Sequence, residues 1–132
     1  MKDTRLIMGM PIEIELPAAD INAHEAIEAA FAYLTSVDER FSTYKDTSEI
    51  SRINRGEIKD DEIGAEMKDV FAIAEKTKKE TNGYFDIKRP DGKIDPSGIV
   101  KGWAIRNTAE LIRKAGHKNF FVNAGGDIAI SG

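Results

Sequence analysis

One change of hydrophobic period near the start of the chain constrains the fold more than any other feature. Ile12, Ile14 and Leu16 alternate with Glu13 and Glu15. A period of two with one charged face is the pattern of a half-exposed strand. The strand reads as running from Arg5 to Leu16, broken at Gly9 and closed by Pro17 and Asp20. Beyond Asn22 the apolar positions are Ile27, Ala30, Phe31, Leu34, Val37 and Phe41, spaced by three and four. That spacing is the buried stripe of a helix, and Asn22 with Glu25 has the form of a capping box at its start. A strand feeding a long helix needs a second apolar layer, so the chain must fold as a mixed structure.

The remainder extends the pattern. Ser48 to Asn54 reads as a short helix with Ser48 as cap, Ile50 and Ile53 inward and Gly56 as its stop. A longer helix is expected from about Asp61 to Thr81, with Ile63, Met67, Val70, Phe71 and Ala74 on one face and Gly83 just past its end. Tyr84 to Ile87 reads as a short strand, and Arg89-Pro90-Asp91-Gly92 as a turn. A last helix is expected over Ile99 to Ala115, turning Val100, Ala104, Leu111 and Ala115 inward. Strands at 119–123 and 128–130 flank Gly125-Gly126-Asp127. The expectation is one α+β domain over residues 1–132, with helices packed on a mostly antiparallel sheet.

Composition removes several functional classes. There is no cysteine among the 132 residues, which excludes disulfide scaffolds, thiolate zinc sites and cysteine nucleophiles. Lys and Arg number 19 against 23 Asp and Glu, a net charge of -4 that argues against a dedicated nucleic-acid binder. No apolar run approaches ~18 residues, so no transmembrane helix is expected. Met1-Lys2-Asp3-Thr4 has no signal-peptide character. The chain as written reads as cytoplasmic, or as exported where a leader has been removed. His24 and His117 lack the spacing of metal ligands, and no nucleophile elbow, Walker loop or dinucleotide fingerprint occurs.

Four places could carry chemistry. In Asp95-Pro96-Ser97-Gly98-Ile99-Val100-Lys101, a helix starting near Gly98 would offer free N–H groups, dipole and the Lys101 charge to a phosphate. The same residues also suit an ordinary Ser-capped helix with a solvated lysine and Asp95 as a second capping carboxylate. Gly125-Gly126-Asp127 suits either close ligand approach or a tight hairpin. Tyr44 lies in a polar loop, where it could stack on an aromatic ligand or simply pack on the surface. Met8-Gly9-Met10 suits a bulge beside a flat ring, or plain core filling.

Taken in order, the motifs form a series. It comprises Met8-Gly9, Phe41-Ser42-Thr43-Tyr44, Ser48-Glu49-Ile50-Ser51-Arg52-Ile53-Asn54, Gly83-Tyr84-Phe85-Asp86-Ile87, Asp95 to Ala104 and Gly125-Gly126-Asp127. This series resembles the N-terminal half of the ApbE family, the FAD:protein FMN transferases, from Leu6 to the end of the chain. The resemblance implies an ApbE-like, T-fold-like half and a magnesium-dependent enzyme. Such an enzyme cleaves FAD, releases AMP and places FMN on a threonine of an acceptor flavoprotein, often a subunit of a membrane redox pump.

Carried over residue by residue, the resemblance assigns Met8, Tyr44, Tyr84, Phe85, Asp86, Asp95, Lys101, Gly125, Gly126 and Asp127 to the FAD site. It assigns the backbone carbonyl of Gly98 to Mg²⁺. Met10 stands where the family's Met-Gly-Thr motif has threonine. The short loop from Ile87 to Asp95 resembles the family's compact branch. The family's His-Ile-x-x-Pro and Ala-Asp-Ala-x-x-Thr segments, which would supply a base and side-chain metal ligands, do not occur. No catalytic residue is therefore assigned. The chain reads as the N-terminal part of a longer protein or as one completed by a separate C-terminal fragment. Alone, it is expected to bind FAD poorly and not to transfer FMN. A non-catalytic FAD-binding module and an FAD pyrophosphatase are the alternatives.

Overall fold

A computed structural model describes residues 1–17 and 21–131; Asp20, expected to help close the first strand, lies outside them. The elements are β1 (Lys2–Ile7), β2 (Met10–Glu15), α1 (Ile21–Phe41), α2 (Glu49–Asn54), a 3₁₀ turn (Asp60–Glu62), α3 (Ala65–Glu80), α4 (Ser97–Lys114), β3 (Phe120–Ala124) and β4 (Asp127–Ser131). They form two compact units, Met1–Asp38 with Gly102–Gly132, and Glu39–Lys101.

The first unit holds an antiparallel sheet in the order β1-β2-β3-β4. The expected α+β class with an antiparallel sheet is what forms. The sheet is two-sided in chemistry. Register sets Arg5 opposite Ile12, Ile12 opposite Ala124, and Ile14 opposite Val122. Ile12, Ile14, Phe120, Val122 and Ala124 are buried on that face, while Leu6, Ile128 and Ile130 on the other are exposed. α1 lies against the buried face. The Arg5 guanidinium bonds Glu28 of α1 and Asp3 of its own strand and sits 4.4 Å above the Phe31 ring. α1 meets α4 through Tyr33, whose ring lies 6.4 Å from that of Trp103 and whose hydroxyl accepts from Asn107 at 2.9 Å.

The first expected strand is in fact two. Met8 and Gly9, with φ of 58° and 71°, close a two-residue hairpin between β1 and β2. Positive φ at both positions is the signature of a type I′ turn, whose twist matches that of the strands it joins. A glycine inside an apolar run was compatible with a bulge, and pairing of Ile7 with Met10 decides for a turn. α1 begins at Ile21, so Asn22 lies inside its first turn rather than at its cap. In α4 the buried residues are Val100, Trp103, Ala104, Ile105, Thr108, Ala109 and Ile112. Leu111 is only half-buried and Ala115 is exposed beyond the helix end, contrary to the inward positions expected for them.

In the second unit, Ser48 caps α2 as expected, accepting from Ser51 N at 3.1 Å, and Gly56 follows with φ 77°. α3 starts at Ala65, later than expected, because the acidic run Asp60–Glu62 forms a separate 3₁₀ turn. Its end is closed by Asn82 and Gly83, both at positive φ. Tyr84 to Ile87 is not a strand. Asp86 accepts from Lys88 N at 3.0 Å and bends the backbone there, leaving one isolated bridge between Lys88 and Ile94. The turn at Arg89–Gly92 is present, with Arg89 N donating to Lys93 O at 2.8 Å.

Candidate functional site

The second unit carries seven of the eleven residues assigned to cofactor or metal. Tyr44 sits in the loop after α1, 97% exposed. Ser48, fully buried, anchors that loop by donating its hydroxyl to Ser42 O at 2.6 Å. Tyr84 follows α3 and is 94% exposed. Two tyrosines this exposed make little use of their apolar surface within the unit.

Phe85 and Gly98 come together: a Cβ on Gly98 would lie 3.2 Å from the Phe85 ring. That is tight enough that a side chain here would displace the ring. Asp86 lies on the rim of a cavity of about 210 Å³ walled by Phe71, Ala74, Ile87 and Ile94, with the Lys78 ammonium 3.4 Å from its carboxylate. The Lys88 backbone N–H is the main cause holding the Asp86 carboxyl below the usual carboxylate range, and the Lys78 charge acts in the same direction.

At the head of α4 the capping differs from the expected arrangement. The helix starts at Ser97, and the Pro96 carbonyl accepts from Ile99 N and Val100 N at 2.9 and 3.0 Å. Pro96 therefore occupies the cap position, and Asp95 rather than Ser97 supplies the capping oxygen, accepting from Ser97 N at 3.1 Å. A carboxylate at this point also complements the helix dipole. Lys101 falls in the second turn rather than the first. Asp95 is itself held by donation of its N–H to Ile87 O at 2.8 Å.

Two residues outside the assigned set belong to this neighbourhood. Arg89 pairs with Asp91 at 2.7 Å, and that bond keeps its guanidinium protonated above its ordinary range, with Asp95 and Tyr44 adding in the same direction. Asn54 bonds both backbone groups of Ile94. In sequence, Arg89 is a turn residue and Asn54 the last residue of a short helix, and no local pattern links either to Asp95.

The remaining assigned residues lie in the first unit, at one end of the sheet. Met8 is in the β1–β2 turn. Gly125 and Gly126, with φ 57° and 98°, form the two-residue turn from β3 to β4, and Asp127 opens β4. Gly125 N donates to Pro11 O at 3.3 Å, which sets the two turns side by side. The glycines thus form the tight hairpin, with Gly126 N bonded to the Asn123 side chain at 3.0 Å. Met10 opens β2.

The family model for the ApbE family matches residues 8–89 and 87–132. The chain belongs to the ApbE family. Solved structures of ApbE proteins share its fold. The Flavin Transferase ApbE from Vibrio cholerae superimposes with a TM-score of 0.84 at 21% identity, over 100% of this chain and 59% of that one. The Pseudomonas stutzeri flavinyl transferase ApbE in its apo form gives 0.83 at 15% identity, over 100% and 56%. The ApbE protein from Thermotoga maritima gives 0.84 at 18% identity, over 98% and 58%. The chain thus spans somewhat under three fifths of the length of these ApbE structures. A comparison with curated proteins returns no match. No helix among the described residues is long and apolar enough to cross a membrane.

Proposed function

We propose that the chain is the FAD-binding portion of an FAD:protein FMN transferase. The observation that carries this reading is the match of the ApbE family along almost the whole chain, in two stretches that overlap at residues 87–89. The neighbours of like fold that are described as flavin transferases support it.

In the reaction, the threonine oxygen of an acceptor flavoprotein attacks the FMN phosphorus. The P–O bond to AMP breaks, AMP leaves, and the threonine proton passes to a base. Phosphoryl transfer of this kind depends chiefly on positioning and on neutralising charge. Asp95 fixes the start of α4, Lys101 brings a cation to its second turn, and the Phe85 ring sits close beside Gly98, where a side chain would meet it. Tyr44 and Tyr84 offer exposed ring faces to the isoalloxazine or the adenine. The family resemblance also assigns Met8, Gly125, Gly126 and Asp127 to FAD.

Magnesium, when bound, supplies Lewis-acid stabilisation of the phosphoryl oxygens. The residues present do not compose its site: Gly98 would contribute one backbone oxygen, and no group of three or more His, Asp or Glu gathers among the described residues. Completion by a C-terminal segment of the same protein accounts for that shortfall and for the coverage of the longer ApbE structures.

Titration with FAD, followed by backbone amide shifts, tests the binding reading. Shifts are expected at Tyr44, at 84–86 and at 95–101, with ADP moving part of the set. Lack of any shift at millimolar FAD overturns the reading. Intact mass of an acceptor domain after incubation with FAD, Mg²⁺ and the full-length enzyme separates transfer from hydrolysis, since only transfer leaves FMN on the protein.

A further inference from the structure

Asn54 closes α2, and its side-chain amide reaches a residue 40 positions away. Its Nδ2 donates to Ile94 O at 2.9 Å, and its Oδ1 accepts from Ile94 N at 2.8 Å. This pair of bonds is what a neighbouring antiparallel strand would offer to one residue. Ile94 has only the isolated bridge to Lys88 in place of a full strand neighbour. The next residue is Asp95, whose N–H is bonded to Ile87 O and whose carboxylate caps Ser97. Asp95 is thus fixed through its own N–H and carboxylate, and the residue before it is fixed by the Asn54 amide. Asparagine suits the task because it carries a donor nitrogen beside an acceptor oxygen on a short stem; aspartate keeps the acceptor and loses the donor.

We infer that Asn54 is the positioning residue that sets Asp95 and the first turn of α4 for the phosphate-bearing ligand. The inference rests on the FAD-binding reading above and extends it to a side chain that need not touch FAD. A residue acting in this way changes ligand affinity through local order, whereas one that only adds stability does not alter affinity well below the melting temperature.

The test compares Asn54→Ala and Asn54→Asp with Ile50→Val, a stability reference in the same helix whose side chain is fully buried. Each full chain is titrated with FAD and its amide exchange is followed. For Asn54→Ala, exchange at residues 95–100 is expected to quicken at least tenfold, and the FAD dissociation constant to rise at least fivefold over that of Ile50→Val. Asn54→Asp is expected to fall between Asn54→Ala and the parent chain, and it keeps the test open if the alanine variant does not fold. Variants at Asn54 that bind FAD like Ile50→Val, or that leave exchange at 95–100 unchanged, overturn the inference while the parent chain still binds. A parent chain that shows no response to FAD overturns the proposed function and this inference together.

Discussion

Met8 is a methionine in left-handed backbone, with φ 58°, at the first position of a turn that favours Asn or Gly. An L-residue with a Cβ in that region costs about 1–2 kcal/mol relative to the right-handed one. Such local strain is retained where the surrounding structure fixes it, and it points to a use for the side chain. Met8→Asn is therefore expected to raise stability by about 1 kcal/mol in urea denaturation, while weakening FAD binding in the same preparation. A variant that gains stability and keeps its FAD affinity would remove Met8 from the site. The family motif made Met8 a candidate from sequence, but its strain was not legible there, because an apolar residue before glycine has the pattern of a bulged strand as much as of a turn. Asn54 was hidden for a related reason: its partners lie 40 residues along the chain, and hydrogen bonds of that reach leave no periodic trace.

Among the elements, the helices were the most legible. Phe31, Leu34 and Val37 recur at helical spacing because one face of α1 is buried, and they are buried. Tyr84 to Ile87 misled because aromatic and branched residues next to a turn have strand composition, whereas the backbone there is governed by polar bonds. Those bonds give the 84–94 segment a specific response to acid. The Asp86 carboxyl is held low by the Lys88 N–H and by Lys78, and that of Asp91 by Arg89 and then by the Lys93 N–H. A carboxyl with a lowered folded-state value favours the folded chain above about pH 4, its unfolded range, and that contribution is lost as pH falls through the lowered value. Asp86→Asn and Asp91→Asn are accordingly expected to be less stable than the parent near pH 7. Their stability should also change less between about pH 4 and pH 2. Thermal melts at about pH 7 and across that window check both. A variant as steep in acid as the parent would show that the carboxyl contributes nothing to the slope.

At the scale of the whole molecule, the sheet in the first unit sorts its residues by face, and this decides which substitutions the fold tolerates. The Ile-Glu alternation announced the sorting for β2, and the pairing extends it across four strands. Ile14 is fully buried and stands opposite Val122, whereas Ile130, opposite Phe121 on the other face, is 71% exposed. Both are isoleucines in strands of one sheet, so backbone propensity is nearly matched and burial is the variable that differs. Removing a buried isoleucine loses its transfer free energy and leaves a cavity, costing about 2–5 kcal/mol; an exposed one loses far less. Ile14→Ala is expected to lower Tm by about 10 °C or more for a domain of this size, and Ile130→Ala by no more than about 2 °C. Differential scanning calorimetry of the two variants measures the contrast directly. Equal losses would mean that the outer face is covered in solution, and the sheet would then have to be treated as buried on both sides.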